Sequence, residues 1–149
     1  MAFALLAVAS LAAGCSKDDG GRAPEATTTT AAGPPSDAKS QQKAFDADER
    51  VLSTIRLPGA VGVFAKSTKV CPEGKAPQIT RIDRSSLAPA EVASQLTTDL
   101  EGLGWQHEDL PDGKELYTKD PYQLLVEVSA ADGGTTAELQ VTSNLAACP

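Results

Sequence analysis

PAEVASQLTTDLEGLGW, residues 89–105, is the stretch on which the reading of the fold turns. Val92, Leu96, Leu100 and Leu103 recur at helical spacing with Ala93 beside them, so a helix over this stretch carries a single apolar stripe. Thr97, Thr98, Asp99 and Glu101 fall on the side expected to face water. Pro89 suits a first helical turn, where its missing N–H costs nothing, and Glu91 complements the positive end of the helix dipole. Gly102 and Gly104 supply C-terminal stops.

Downstream of Trp105 the hydrophobic period drops to 2. Tyr122, Leu124, Val126 and Val128 alternate with Gln123, Leu125, Glu127 and Ser129, and Ala137, Leu139 and Val141 alternate with Thr136, Glu138, Gln140 and Thr142. Ala131-Asp132-Gly133-Gly134 lies between the two runs, which predicts an antiparallel hairpin with one buried face. Shorter strands are expected at Glu115-Leu116-Tyr117-Thr118, turned by Asp120-Pro121, and over residues 105–108, turned by Asp112-Gly113. Upstream, Val61-Gly62-Val63-Phe64 and residues 78–82 read as strands flanking a loop with Cys71-Pro72-Glu73-Gly74. Residues 37–55 suit a helix that uses Ala44, Phe45, Val51, Leu52 and Ile55 and ends before Pro58-Gly59. The expected fold is α+β: a small antiparallel sheet, a meander after the helix, covered by that one amphipathic helix as a two-layer sandwich.

The helix ending in Leu-x-x-Leu-Gly-Trp at residues 100–105, the short strands after it and the late Cys148 resemble small lipoproteins of actinobacteria. The resemblance spans about residues 58–149. It implies an extracytoplasmic location and an α+β domain, and it assigns no site residue.

The N-terminus reads as an address. Residues 2–13 are apolar except for Ser10 and run into Leu11-Ala12-Ala13-Gly14-Cys15. As a helix this run spans about 18 Å, too short for a hydrocarbon core of about 30 Å, so it reads as a signal peptide and not a membrane span. The segment resembles the lipobox of bacterial lipoproteins, in which the cysteine after a small residue is diacylated and becomes the new N-terminus. Ala12 stands where leucine is commoner, and no Lys or Arg precedes the apolar run; basic residues are expected upstream of Met1. Residues 16–36, with Thr27-Thr28-Thr29-Thr30 and Gly33-Pro34-Pro35 and no large apolar side chain, have the composition of a tether. The expected organisation is a lipoprotein signal peptide over 1–14, lipidated Cys15 and its tether over 15–36, and an extracytoplasmic domain over 37–149. Two acyl chains on Cys15 anchor stably where one binds only reversibly.

The balance of 20 Asp and Glu against 13 Lys and Arg gives −7 over 149 residues and argues against nucleic acid as a partner. With Cys15 lipidated, Cys71 and Cys148 remain as an even pair in an oxidising setting, and a disulfide between them is expected. Two free thiols are the alternative, and a metal site of both thiolates with His107 has no recognisable ligand spacing.

Catalytic chemistry finds little material. His107 is the one histidine of the chain, expected as a surface residue beside Glu108 and Asp109, and no Gly-x-Ser-x-Gly elbow is present. Ser85 and Ser86 suit turns and caps, and Trp105, Tyr117 and Tyr122 suit the core. Two acidic clusters, Asp46 with Asp48 and Glu49 and Glu108 with Asp109 and Asp112, read as solvated faces because neither completes a calcium loop. No catalytic, cofactor-binding or metal-ligating set emerges. The expectation is therefore a non-catalytic, lipid-anchored binding or adaptor module for an envelope protein; the alternative is a carrier of a small hydrophobic ligand or lipid at the membrane.

Overall fold

The computed structural model describes residues 33–61 and 67–149. Cys15, the tether before residue 33 and Gly62, Val63 and Phe64 of the expected early strand lie outside the described residues. The elements run α1 (Ala38–Thr54), β1 (Thr68–Val70), β2 (Gln78–Ser85), α2 (Pro89–Gly102), β3 (Gln106–Asp109), β4 (Glu115–Lys119), β5 (Tyr122–Ala131) and β6 (Gly134–Ser143). The strands form one antiparallel sheet in the order β1-β2-β6-β5-β4-β3. The fold is the expected α+β sandwich with a meander after the helix.

α2 begins on Pro89 and ends on Gly102, with Val92, Leu96 and Leu100 buried. Past the helix, the Gly104 N–H donates to the Glu101 carbonyl, and Gly104 sits at φ 84°, the left-handed conformation that suits a C-terminal glycine. In the hairpin, Leu124, Val126, Ala137, Leu139 and Val141 all lie on the buried face, as the period-2 pattern requires. Ile79 of β2 stands opposite Val141 and Tyr117 of β4 opposite Leu124, so one apolar face runs across the sheet. Trp105 and Tyr117 join this core and Tyr122 packs against its margin.

Two features depart from the expected layout. The sheet is covered by two helices: Leu52 of α1 and Ile55 just beyond it sit in the same core as Val92, Leu96 and Leu100 of α2. And β1, inside the stretch read as a loop, adds an edge strand, because Thr68, Lys69 and Val70 pair with Thr80, Ile79 and Gln78. Its residues are exposed, so no hydrophobic alternation marks it in the sequence.

α1 is opened by Asp37, whose carboxylate accepts from the Lys39 and Ser40 backbone N–H groups. The Ser40 hydroxyl, which also donates to this carboxylate at 2.7 Å, and then these backbone bonds hold the Asp37 carboxyl below its usual pKa. Its other end is closed from a distance. Arg81, on the covered face of β2, donates to the carbonyls of Leu52 and Ile55 and pairs with Asp83 at 2.7 Å. A cation at the negative end of a helix is stabilising, and here it also adds a donor to the Leu52 carbonyl, which already accepts from the Ile55 N–H, and to the Ile55 carbonyl beyond the helix.

Cys71 and Cys148 form a disulfide, which excludes both the free thiols and the thiolate–histidine metal site. The tail it holds is bonded on both sides: the Cys148 N–H donates to the Lys75 carbonyl and the Ala147 N–H to the Pro35 carbonyl. Ser85 has the turn role expected of it, its hydroxyl donating to the Pro58 carbonyl and accepting from the Leu87 N–H.

Candidate functional site

The two-residue turn Asp120-Pro121 between β4 and β5 places Tyr122 at one end of the sheet, on its covered face, facing α1. Three clefts meet on this side chain. One of about 530 Å³ runs from the turn to Ser143 and Asn144. A second, of about 690 Å³, follows α1 past Lys43, Asp46 and Arg50 to Leu145. The third, of about 260 Å³, lies between Arg50, Val51 and Trp105. Lys43, Arg50 and Lys119 surround the ring together with Asp46 and Asp120, so this end of an acidic chain has at least as many cations as acids around one aromatic. Tyr122 was expected only as core; its position at a strand end next to a turn is the signal that it also reaches the surface.

Asp48, expected on a solvated acidic face, is instead 0% exposed. It follows Ala44 by four residues and precedes Leu52 by four, so it falls on the stripe that α1 turns toward the sheet. Its carboxyl oxygens lack a hydrogen-bond partner among the described residues, and burial raises its pKa to about 6. The Ser143 hydroxyl, also buried, stands close enough to hold that value down in part without completing a bond of ordinary geometry. The other two acids of that cluster, Asp46 and Glu49, do face solvent, and Glu49 pairs with Lys69 of β1 at 2.9 Å.

His107 also departs from its expected place. It lies on the covered face of β3, opposite Tyr117, with its side chain 20% exposed and its ring stacked on the phenol at 4.8 Å between centroids. Asp109, two residues on, shares that face, and Glu115 stands directly across from Asp109 on β4; Glu108 alternates to the opposite face. The Tyr117 hydroxyl donates to Glu115, and Thr97 of α2, expected in water, bonds to the same phenol oxygen at 2.8 Å. Burial and the Glu115 carboxylate raise the phenol pKa well above its usual value, so it stays a neutral donor.

The disulfide residues Cys71 and Cys148 are far from catalytic duty, being consumed in a structural bond. No helix among the described residues is long and apolar enough to cross a membrane. No protein-family model, curated protein or solved structure matches this chain.

Proposed function

We propose that residues 37–149 are a non-catalytic binding module, held at the extracytoplasmic face of a cell membrane by diacylated Cys15, which recognises an envelope protein through the clefts around Tyr122. The observation that carries the binding reading is the convergence of three clefts on one aromatic flanked by charges of both signs. Aromatic and Arg side chains in such settings are the usual anchors of protein recognition, and a peptide segment offers both apolar and charged groups to meet them. The location rests on the lipobox-like sequence ending in Cys15 and the tether behind it. A carrier of a hydrophobic ligand draws no support from the described residues: Leu52, Leu96, Leu100, Tyr117 and Leu124 fill the space between helices and sheet.

The test is in-cell crosslinking of the tagged, full-length chain with identification of what is captured. A stoichiometric partner whose capture falls at least tenfold with Tyr122→Ala or Arg50→Ala, in variants that keep their far-UV circular dichroism, supports the reading. Loss of membrane partitioning in Cys15→Ala supports the anchor separately. Capture that is indifferent to both cleft substitutions refutes the assignment of this surface.

A further inference from the structure

We propose that His107, Asp109 and Glu115 form a binding site for a divalent transition-metal ion, Zn²⁺ being the natural probe. His107 and Asp109 are two apart on β3 and Glu115 faces Asp109 from β4, so the register aims all three side chains at one point on the covered face. One donor atom from each lies within 4.8 Å of the others. His107 Nε2 is 3.4 Å from Asp109 Oδ1 and 4.0 Å from Glu115 Oε2. Bonds of about 2.1 Å at tetrahedral angles put two ligands of one ion about 3.4 Å apart, so these atoms already stand near ligand spacing.

The state of Nε2 is the second observation. It is buried and has no hydrogen-bond partner, so a proton placed there finds no acceptor in bonding geometry. Without a proton, its lone pair faces Asp109 Oδ1 and Glu115 Oε2, and of these three acceptors only Glu115 Oε2 has a donor among the described residues, the Tyr117 hydroxyl. A cation resolves both problems. One imidazole nitrogen with two carboxylates suits Zn²⁺ and its first-row neighbours, whereas Ca²⁺ wants about six to eight oxygens and Mg²⁺ keeps its waters.

The surroundings support the ligands. Tyr117 orients Glu115 by its hydrogen bond and fixes the His107 ring by stacking, and Thr97 ties the phenol to α2. Asp109 is 87% exposed, which leaves the ion an entry path and a side open to water as a fourth ligand.

The experiment uses the metal-stripped, oxidised full-length chain carrying Cys15→Ala, which removes the one thiol outside the disulfide. His107 is the chain's single histidine, so every imidazole nitrogen resonance in a long-range ¹H–¹⁵N spectrum reports this site. Zn²⁺ is expected to shift Nε2 and to saturate at one equivalent. Asp109→Asn and Glu115→Gln should each weaken binding at least about tenfold, Tyr117→Phe should weaken it severalfold, and Glu108→Gln on the opposite face should leave it unchanged. Circular dichroism confirms that each variant is folded. Imidazole resonances that ignore Zn²⁺ in about tenfold excess overturn the proposal. So does a shift that survives the Asp109→Asn/Glu115→Gln double substitution, or one that Ca²⁺ produces as readily as Zn²⁺.

Discussion

Replacing Arg81 with methionine tests the packing of α1 on the sheet at its most charged point. The substitution keeps an unbranched apolar stem of similar reach and deletes the guanidinium. Arg81 and Asp83 have side chains only 12% and 16% exposed, so Asp83 is left as a nearly buried carboxylate without its cation. Breaking a buried pair from one side costs about 3–5 kcal/mol. The Ile55 carbonyl loses its guanidinium donor and that of Leu52 keeps only the Ile55 N–H, and the end of α1 loses a favourable charge worth about 0.3–1 kcal/mol. Arg81→Met is therefore expected to cost about 4 kcal/mol, a large share of the roughly 5–15 kcal/mol that holds a domain together. Urea unfolding followed by circular dichroism reads this as a lower midpoint at unchanged slope. Adding Asp83→Leu to Arg81→Met should restore most of the loss, because an apolar pair of similar volume is nearly neutral against a buried ion pair. If Arg81→Met costs less than about 1 kcal/mol, or if Asp83→Leu deepens the loss, the account of Arg81 as a paired helix cap is wrong.

Asp48 gives the chain a pH signature. Its folded pKa of about 6 lies above the ordinary 3.8, so the folded state binds the extra proton; this contribution is fully present below about pH 4 and is lost as pH rises through 6. At roughly 1.4 kcal/mol per pKa unit the swing is about 3 kcal/mol, and Asp48→Asn should flatten stability between pH 4 and 6 and leave the variant more stable than the parent at pH 7. An unchanged slope in urea midpoints across that range would show that Asp48 is not the responsible group. The disulfide bridges a sequence separation of 77, which limits its contribution from loop closure to about 4.5 kcal/mol. Cys71→Ala/Cys148→Ala should lower stability toward that figure and free the Ala147 and Cys148 amides to exchange with solvent. Gly134→Ala should cost about 2 kcal/mol in thermal unfolding, because its Cβ would collide with the Ser85 backbone carbonyl oxygen. Gly133→Ala meets open space and should cost only about 1 kcal/mol, for its left-handed φ of 79°.

Elements whose physics is local are legible along the chain. α2 is written in its apolar stripe and its Pro89 start, the β5–β6 hairpin in period-2 alternation around Asp132-Gly133, and the α+β class in the change of period between them. Once the lipobox-like reading set Cys15 aside, parity paired Cys71 with Cys148. The polar interior is set by long-range packing. A helix pattern shows that Ala44, Asp48 and Leu52 share a stripe, but only the docking of α1 on the sheet makes that stripe dry and Asp48 a buried acid. Arg81 and the end of α1 are brought together across some 26 residues or more, so no local spacing announces the cap. His107 and Asp109 are visibly two apart, but their meeting with Glu115 and Tyr117 depends on the β3–β4 register, where a slip of one residue sends every side chain to the other face. Tyr122 likewise acquires its clefts from three segments that converge only in the folded chain. Apolar burial imposes a periodicity on each element that can be read along the chain, whereas the partner of a polar group is chosen by long-range contact and leaves no period behind.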